Sequence, residues 1–204
     1  MRAVDGTPVR IDSLKVGGVA IQDMVAMQLT EGANGEMWMA SNTHGVVRIQ
    51  GSGHSLNGYT LSAYSVVNGK LNSNYADCIY KDIEGRIWVG TGGSGLSLYD
   101  TVEDRFLPVH KLWNLPGDAV TSIQSDKKGD LWLGTNAGLL KLTVPKDLQN
   151  VTYRLYTTSD GLQDNLFNRG ASCEAPDGEL FFGGHRGYNR FYPDEQDEQV
   201  FSSP

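Results

Sequence analysis

Gly85-Arg86-Ile87-Trp88-Val89-Gly90-Thr91-Gly92-Gly93-Ser94-Gly95-Leu96-Ser97-Leu98-Tyr99 decides the fold. A turn ending in Gly leads into a short strand with an aromatic residue at its centre, then a small-residue turn, another Gly and a further strand. Three other stretches are written the same way: Gly35-Glu36-Met37-Trp38-Met39-Ala40-Ser41-Asn42 with Gly45, Gly129-Asp130-Leu131-Trp132-Leu133-Gly134-Thr135-Asn136 with Gly138, and Gly178-Glu179-Leu180-Phe181-Phe182-Gly183-Gly184 with Gly187. Their leading glycines lie 50, 44 and 49 residues apart. Strands and Gly turns repeating at such a period are the signature of a β-propeller blade.

Ahead of each blade glycine stands a short, mostly apolar strand and an acidic or polar turn, as in Ala76 to Tyr80 followed by Asp82-Ile83-Glu84. Turns of this kind close antiparallel hairpins, so the apolar strand is the innermost of its blade. On the second strand Ile87/Val89 face one way and Trp88 the other, and the other copies alternate likewise. A sheet apolar on both faces is packed between two neighbours, which a propeller blade requires. Third strands follow at Val46 to Ile49, Leu96 to Tyr99, Leu139 to Leu142 and Tyr188 to Tyr192. Outer strands are read at Tyr59 to Tyr64, weakly at Phe106 to Val109, and at Tyr153 to Tyr156. The chain therefore reads as all-β: four four-stranded antiparallel blades over 25–193, with 1–24 as the end of a preceding blade and connecting loop, and 194–204 as a tail toward a following domain. The tryptophans are expected in the core. The four blades are expected to be the last of a larger propeller, with a self-closed four-bladed ring as the alternative. An open array leaves an apolar blade face in water and predicts self-association, a homodimer included.

A net charge of −7 and a pI near 5.0 argue against nucleic acid, whose phosphate backbone selects basic faces. No stretch of 18 or more apolar residues occurs, and no apolar core follows the first charged residue as a signal peptide needs. Either the chain is cytoplasmic or its targeting segment lies outside it, and membrane attachment is expected only through segments outside this chain. Cys78 and Cys173 fall on innermost strands of non-adjacent blades, where two buried thiols are expected rather than a disulfide. His44, His54, His110 and His185 show no metal-ligand spacing, and no phosphate loop or nucleophile elbow is present. Asp160 and Asp164 alone fall short of a calcium loop. No catalytic residue, metal or cofactor is expected.

Gly85 to Tyr99 and Gly129 to Leu142 closely follow the string Gly-x-Ile-Trp-Val-Gly-Thr-x-Gly-Gly-Leu-x-x-Tyr, which resembles the two-component regulator propeller repeat. Ser159-Asp160-Gly161-Leu162-Gln163-Asp164-Asn165-Leu166-Phe167-Asn168 fits the Asp-Gly-Leu-x-x-Asn segment that links blades in that family, and Gly178 to Pro193 resembles its last blade. The resemblance implies a periplasmic or otherwise extracytoplasmic sensor of a membrane-bound hybrid histidine kinase or diguanylate cyclase. It further implies seven blades per propeller, a following β-sandwich, and response to a glycan or similar small molecule. In a propeller the outer-to-inner and second-to-third loops gather at one end of the axis, where rigid scaffolds place function. These loops carry Asn42, His44, Asn74, Tyr75, Asn136, Asn165, Phe167, Asn168, Arg169, His185 and Arg186, whose amide, guanidinium and aromatic groups suit a sugar. The alternatives are a propeller enzyme similar to virginiamycin B lyase, for which His185 or His44 would have to converge with Glu174, and a generic protein-interaction propeller.

Overall fold

A computed structural model describes residues 15–16, 18–51 and 58–195. A short hairpin, β1 (Lys15–Val16) and β2 (Val19–Ala20), precedes blade 1, formed by β3 (Ala26–Glu31), β4 (Met37–Ser41), β5 (Gly45–Gly51) and β6 (Tyr59–Tyr64). Blade 2 comprises β7 (Ala76–Lys81), β8 (Ile87–Thr91), β9 (Gly95–Asp100) and β10 (Arg105–Leu107); blade 3 comprises β11 (Val120–Ser125), β12 (Leu131–Thr135), β13 (Leu139–Thr143) and β14 (Thr152–Tyr156). Blade 4 contributes β15 (Phe167–Glu174), β16 (Leu180–Gly184) and β17 (Gly187–Phe191) among the described residues. Every blade is a meander of antiparallel neighbours, as the repeat demands. The outer strand of blade 2 ends at Leu107 rather than Val109, because Pro108 has no N–H for the ladder and Val109–Leu112 coil into a helical turn.

The innermost strands β3, β7, β11 and β15 pack side by side in chain order, and side chains stitch them together. Gln28 accepts from the Ile79 backbone at 3.2 Å, Tyr80 Oη and Ser125 Oγ lie 2.8 Å apart, and Gln124 donates to Ser172 Oγ at 3.0 Å. Each tryptophan is buried against the next blade. Trp38 sits with Ile79, Ile87 and Val89, Trp88 with Ile123, Leu131 and Leu133, and Trp132 with Leu180 and Phe182. Phe181, at the equivalent position of blade 4, has a single ring neighbour among the described residues, Tyr188, which is 43% exposed. The far face of blade 1 is covered instead: Met39, Val47, Ile49 and Tyr59 pack beneath Ile21 and Met24. The exposed apolar face expected of an open array is therefore confined to blade 4. Cys78 is buried, but Cys173 is exposed because β15 has no further blade beside it, so the expectation of two buried thiols fails for Cys173.

What fixes each tryptophan is a carboxylate in the turn before it. Trp88 Nε1 donates to Asp82 Oδ2 at 2.8 Å, and Trp132 Nε1 donates to Asp126 Oδ2 at 3.0 Å. The second oxygen of each aspartate accepts two backbone N–H groups of its own turn. Blade 1 has Gly32 at this position, and Glu36 reaches back to accept from Trp38 Nε1 at 3.2 Å, filling the space that a Cβ on Gly32 would enter. Burial would raise the Glu36 carboxyl, but the N–H groups of its own and Asn34's backbone and the Trp38 indole together hold it below the usual carboxylate range. Blade 4 has Ala175 where the aspartate would be, and Phe181 has no N–H to satisfy.

Between blades 1 and 2 a second anchor forms at Asp104, which stands at a left-handed φ of 49°. Tyr64 and Tyr99 each donate to its Oδ1 at 2.7 Å, Lys70 pairs with Oδ2, and Arg48 lies 3.4 Å away. Desolvation pushes the Asp104 carboxyl up, but the Lys70, Tyr64 and Tyr99 hydrogen bonds outweigh it and hold the group far below its ordinary range.

Two outcomes test these anchors. Asp82→Ala leaves the indole N–H, two backbone N–H groups and Arg86 without their acceptor, and should cost about 3 kcal/mol in urea unfolding. Glu36→Ala should cost less, and adding Gly32→Asp to it should recover most of the loss by recreating the anchor of blades 2 and 3. For Asp104 the folded pKa is depressed, so its stabilisation is present above the unfolded value of about 3.9 and is lost as pH falls through the lower folded value. The stability gap between the parent chain and Asp104→Asn should therefore persist at neutral pH and close under strong acid.

Candidate functional site

The inner strands share an irregularity at one end. Register slips between Ala26 and Gln28, Ala76 and Cys78, Val120 and Ser122, and Phe167 and Ser172, so Met27, Asp77, Thr121 and the 168–171 segment stand as bulges. A bulge re-aims a side chain out of the strand's alternation. In blade 3 the result is local, since Thr121 Oγ1 donates to the Gly134 carbonyl at 3.0 Å. In blades 2 and 4 it brings two charges together across the array. Arg169 Nε stands 2.9 Å from Asp77 Oδ2, joining the inner strands of non-adjacent blades.

The pair is unequal. The Asp77 side chain is 1% exposed, whereas that of Arg169 is 57% exposed. Arg169 is the one donor near Asp77 Oδ2 and meets it at a poor angle, and Oδ1 has no hydrogen-bond donor among the described residues. Burial pushes the Asp77 carboxyl above its usual range, against the pull of the Arg169 guanidinium. Gly92, in the β8–β9 turn, leaves room for this carboxylate: a Cβ there would lie 3.2 Å from Asp77 Oδ2. Its N–H donates to the carbonyl of Tyr75, whose ring is 61% exposed beside the site. At this axial mouth a desolvated carboxylate lies beneath a half-exposed guanidinium, with an exposed aromatic ring nearby. Such a set can bind hydroxyl or amine donors below and an apolar sugar face at the side.

The residues anticipated for this end divide by role. Arg169 and Tyr75 lie at the mouth. Asn74, Asn136 and Asn165 are occupied as turn struts: Asn74 Oδ1 accepts from Val66 N, Asn136 Oδ1 from Asp118 N and Ala119 N, and Asn165 Oδ1 from Thr158 N. Asn168 donates to the Gly184 carbonyl, and His44 Nδ1 is 2.7 Å from Thr43 Oγ1. The Arg186 backbone donates to Gln163 while its guanidinium stands 3.7 Å from Asp164. His185 is exposed on the β16–β17 turn, and the Asn42 side-chain oxygen is buried without a partner. Phe167 does not face the mouth; it is buried among Trp132, Tyr156 and Phe182, because blade 4 closes over it. His54 lies outside the described residues. Glu174 pairs with Leu180 at the far end of blade 4 from Gly184 and His185, about 13 Å of strand away, so the dyad required by the lyase alternative does not assemble there. Asp160 is used locally, accepting from Thr157.

Comparison with known proteins agrees with this architecture. Residues 70–93 and 114–137, the inner and second strands of blades 2 and 3, match the family described as two component regulator propeller. A 78-residue stretch is 33% identical to histidine kinase P4 of Formosa agariphila, covering 38% of this chain and 5% of that protein. The extracellular domain of a B. thetaiotaomicron protein described as a one component system superposes with a TM-score of 0.67 at 18% identity, over 88% of this chain and 25% of that one. That of a hybrid two component system from the same organism gives 0.58 at 19%, over 85% and 28%. Virginiamycin B lyase from Staphylococcus aureus, in an inactive variant, gives 0.54 at 14%, over 86% and 55%. Likenesses at such identities speak for the propeller fold alone. The chain spans a small part of the curated relative and about a quarter of the two sensor domains.

The raised Asp77 pKa fixes the sign of a test. Folding favours the protonated group, so the cost of the buried charge is absent below the unfolded value and grows as pH rises through the folded one. Asp77→Asn should raise the melting temperature at about pH 7 by about 3 °C, and the gain should vanish at about pH 3. Loss of the partner matters little to Arg169, which is already half in water.

Proposed function

We propose that this chain is a ligand-sensing, non-enzymatic propeller segment of an extracytoplasmic receptor belonging to a membrane-bound bacterial signalling protein, a histidine kinase or a diguanylate cyclase. The axial mouth is its binding site, and a glycan or similar polyhydroxylated small molecule its ligand. One observation carries the reading: among the described residues the buried, ionisable Asp77 has Arg169 as its single donor, which comes from a distant blade, meets it at a poor angle and sits mostly in water. A carboxylate kept in that state costs stability and is poised to accept donors that the chain itself does not provide.

Binding would displace Arg169 from Asp77. Ligand hydroxyls would take over the carboxylate, Tyr75 would cover the sugar face, and the guanidinium would turn outward. Since Arg169 ties β15 to β7, its release loosens blade 4 relative to blade 2. A ligand favours whichever arrangement it binds more tightly, and that difference is the signal. Further blades packing on the Phe181 and Tyr188 face, and a β-sandwich beyond them, would transmit it.

Calorimetric titration of the chain with cellotetraose, chitotetraose and tetragalacturonate tests the site. At least one sugar should bind with a saturable heat that falls about tenfold or more in Asp77→Asn, the loss expected for a charge-assisted hydrogen bond. Arg169→Ala should bind as well as the parent or better, because the competitor for Asp77 is gone. A sugar that binds the parent and Asp77→Asn equally would place recognition elsewhere.

A further inference from the structure

At the end of the array opposite the mouth, the turns that enter each second strand lean on one another. The residue after the anchor position reaches the turn glycine of the following blade: Ile83 meets Gly129, and Lys127 meets Gly178 and donates to the Asp177 carbonyl at 2.8 Å. In blade 1 the equivalent residue is Ala33, whose methyl is the only side-chain atom near Gly85. The clefts follow this series. About 30 Å³ remains between blades 3 and 4, about 240 Å³ between blades 2 and 3, and about 480 Å³ between blades 1 and 2. The last is of a size that holds small molecules.

We propose that this cleft between blades 1 and 2 binds a small organic cation with an apolar body. Its floor is the edge of Trp38 with Ile87, Leu98 and Leu107. Its polar walls are mostly anionic. Glu36 and Asp100 carry no cationic salt-bridge partner among the described residues, and Glu84 has only the exposed Lys146 at 3.2 Å. The one cation in the lining, Arg86, is already committed: its Nε lies 2.6 Å from the buried Asp82, and its guanidinium stacks over Trp88. An ammonium group would thus meet carboxylates while its hydrocarbon part replaces water against Leu107, Tyr99 and the edge of Trp38, and an anion of the same shape would be repelled. The site shares no residue with the axial mouth and stands independently of it.

Tryptamine and indole-3-acetate are matched probes, having the same ring and opposite charge. In NMR titrations of the chain, tryptamine should shift the Trp38 indole N–H saturably and leave that of Trp132 unmoved, while indole-3-acetate should bind at least about tenfold more weakly. Ala33→Ile, which narrows the cleft as Ile83 narrows its neighbour, should weaken tryptamine by about tenfold or more while Trp38 keeps its folded resonance. Asp100→Asn retains the Oδ1 acceptor used by Val102 and Glu103 and should weaken tryptamine by about tenfold. The proposal is overturned if the two probes bind alike, if Ala33→Ile binds tryptamine as the parent does, or if the folded parent shows no saturable shift.

Discussion

An indole N–H held by a carboxylate one turn away is the interaction on which the array depends. A tryptophan buried between sheets brings large apolar area but also a donor that must be satisfied. Placing the acceptor in the turn that launches the same strand satisfies it within the blade. Each blade can then offer its neighbour a wholly apolar face. The four copies obey one chemical rule through different residues. Asp82 and Asp126 serve tryptophans directly, Glu36 substitutes where Gly32 leaves no side chain, and Ala175 accompanies a phenylalanine that needs no acceptor. Charge and ring covary within a single chain as satisfaction of the donor requires.

That local solution makes the blades interdependent rather than self-sufficient. Trp38, Trp88 and Trp132 each complete the core of the blade that follows, so every internal interface is half built by its predecessor. The ends reveal the rule by breaking it. Ile21 and Met24 stand in for a preceding surface over blade 1, while Phe181 has Tyr188 as its one ring neighbour among the described residues. The inner strands β7 and β11 are buried along most of their length, and β15 is mostly exposed. A rigid middle with a less constrained last blade is a suitable mounting for a charge pair that spans from blade 2 to blade 4.

The sequence disclosed the repeat, the strand alternation and the burial of the tryptophans, because each follows from side-chain period and turn chemistry alone. Arg169 and Tyr75, read from their place in the loops, do stand beside Asp77 at the axial end. The sequence could have disclosed the anchor as well, since Asp82 and Asp126 each precede their tryptophan by six residues. Asp77 was hidden for a physical reason: a bulge reverses the parity of the strand, and nothing in Ala76-Asp77-Cys78-Ile79 announces where the extra residue falls. The asparagines misled in the opposite direction. Asn74, Asn136 and Asn165 occupy the same loops as a binding site, but their amides are spent on backbone groups of the turns, which is the ordinary work of Asn at such positions. Phe167 belonged to the core because the aromatic residue closing an inter-blade loop can point down as readily as out.

Two aspartates five residues apart separate what holds this fold from what the fold holds. Asp82 and Asp77 are both buried in blade 2. Asp82 receives the Glu84 and Arg86 backbone N–H groups, the Arg86 Nε and the Trp88 indole, so its desolvation is fully compensated and its removal strands four donors. Asp77 has one poorly aligned donor among the described residues, Arg169, which reaches it from across the axis. A saturated buried carboxylate explains itself by the structure it supports. An unsaturated one, raised in pKa and placed where a glycine makes room for it, supports no turn of its own, and its desolvation is offset only in part by the described residues.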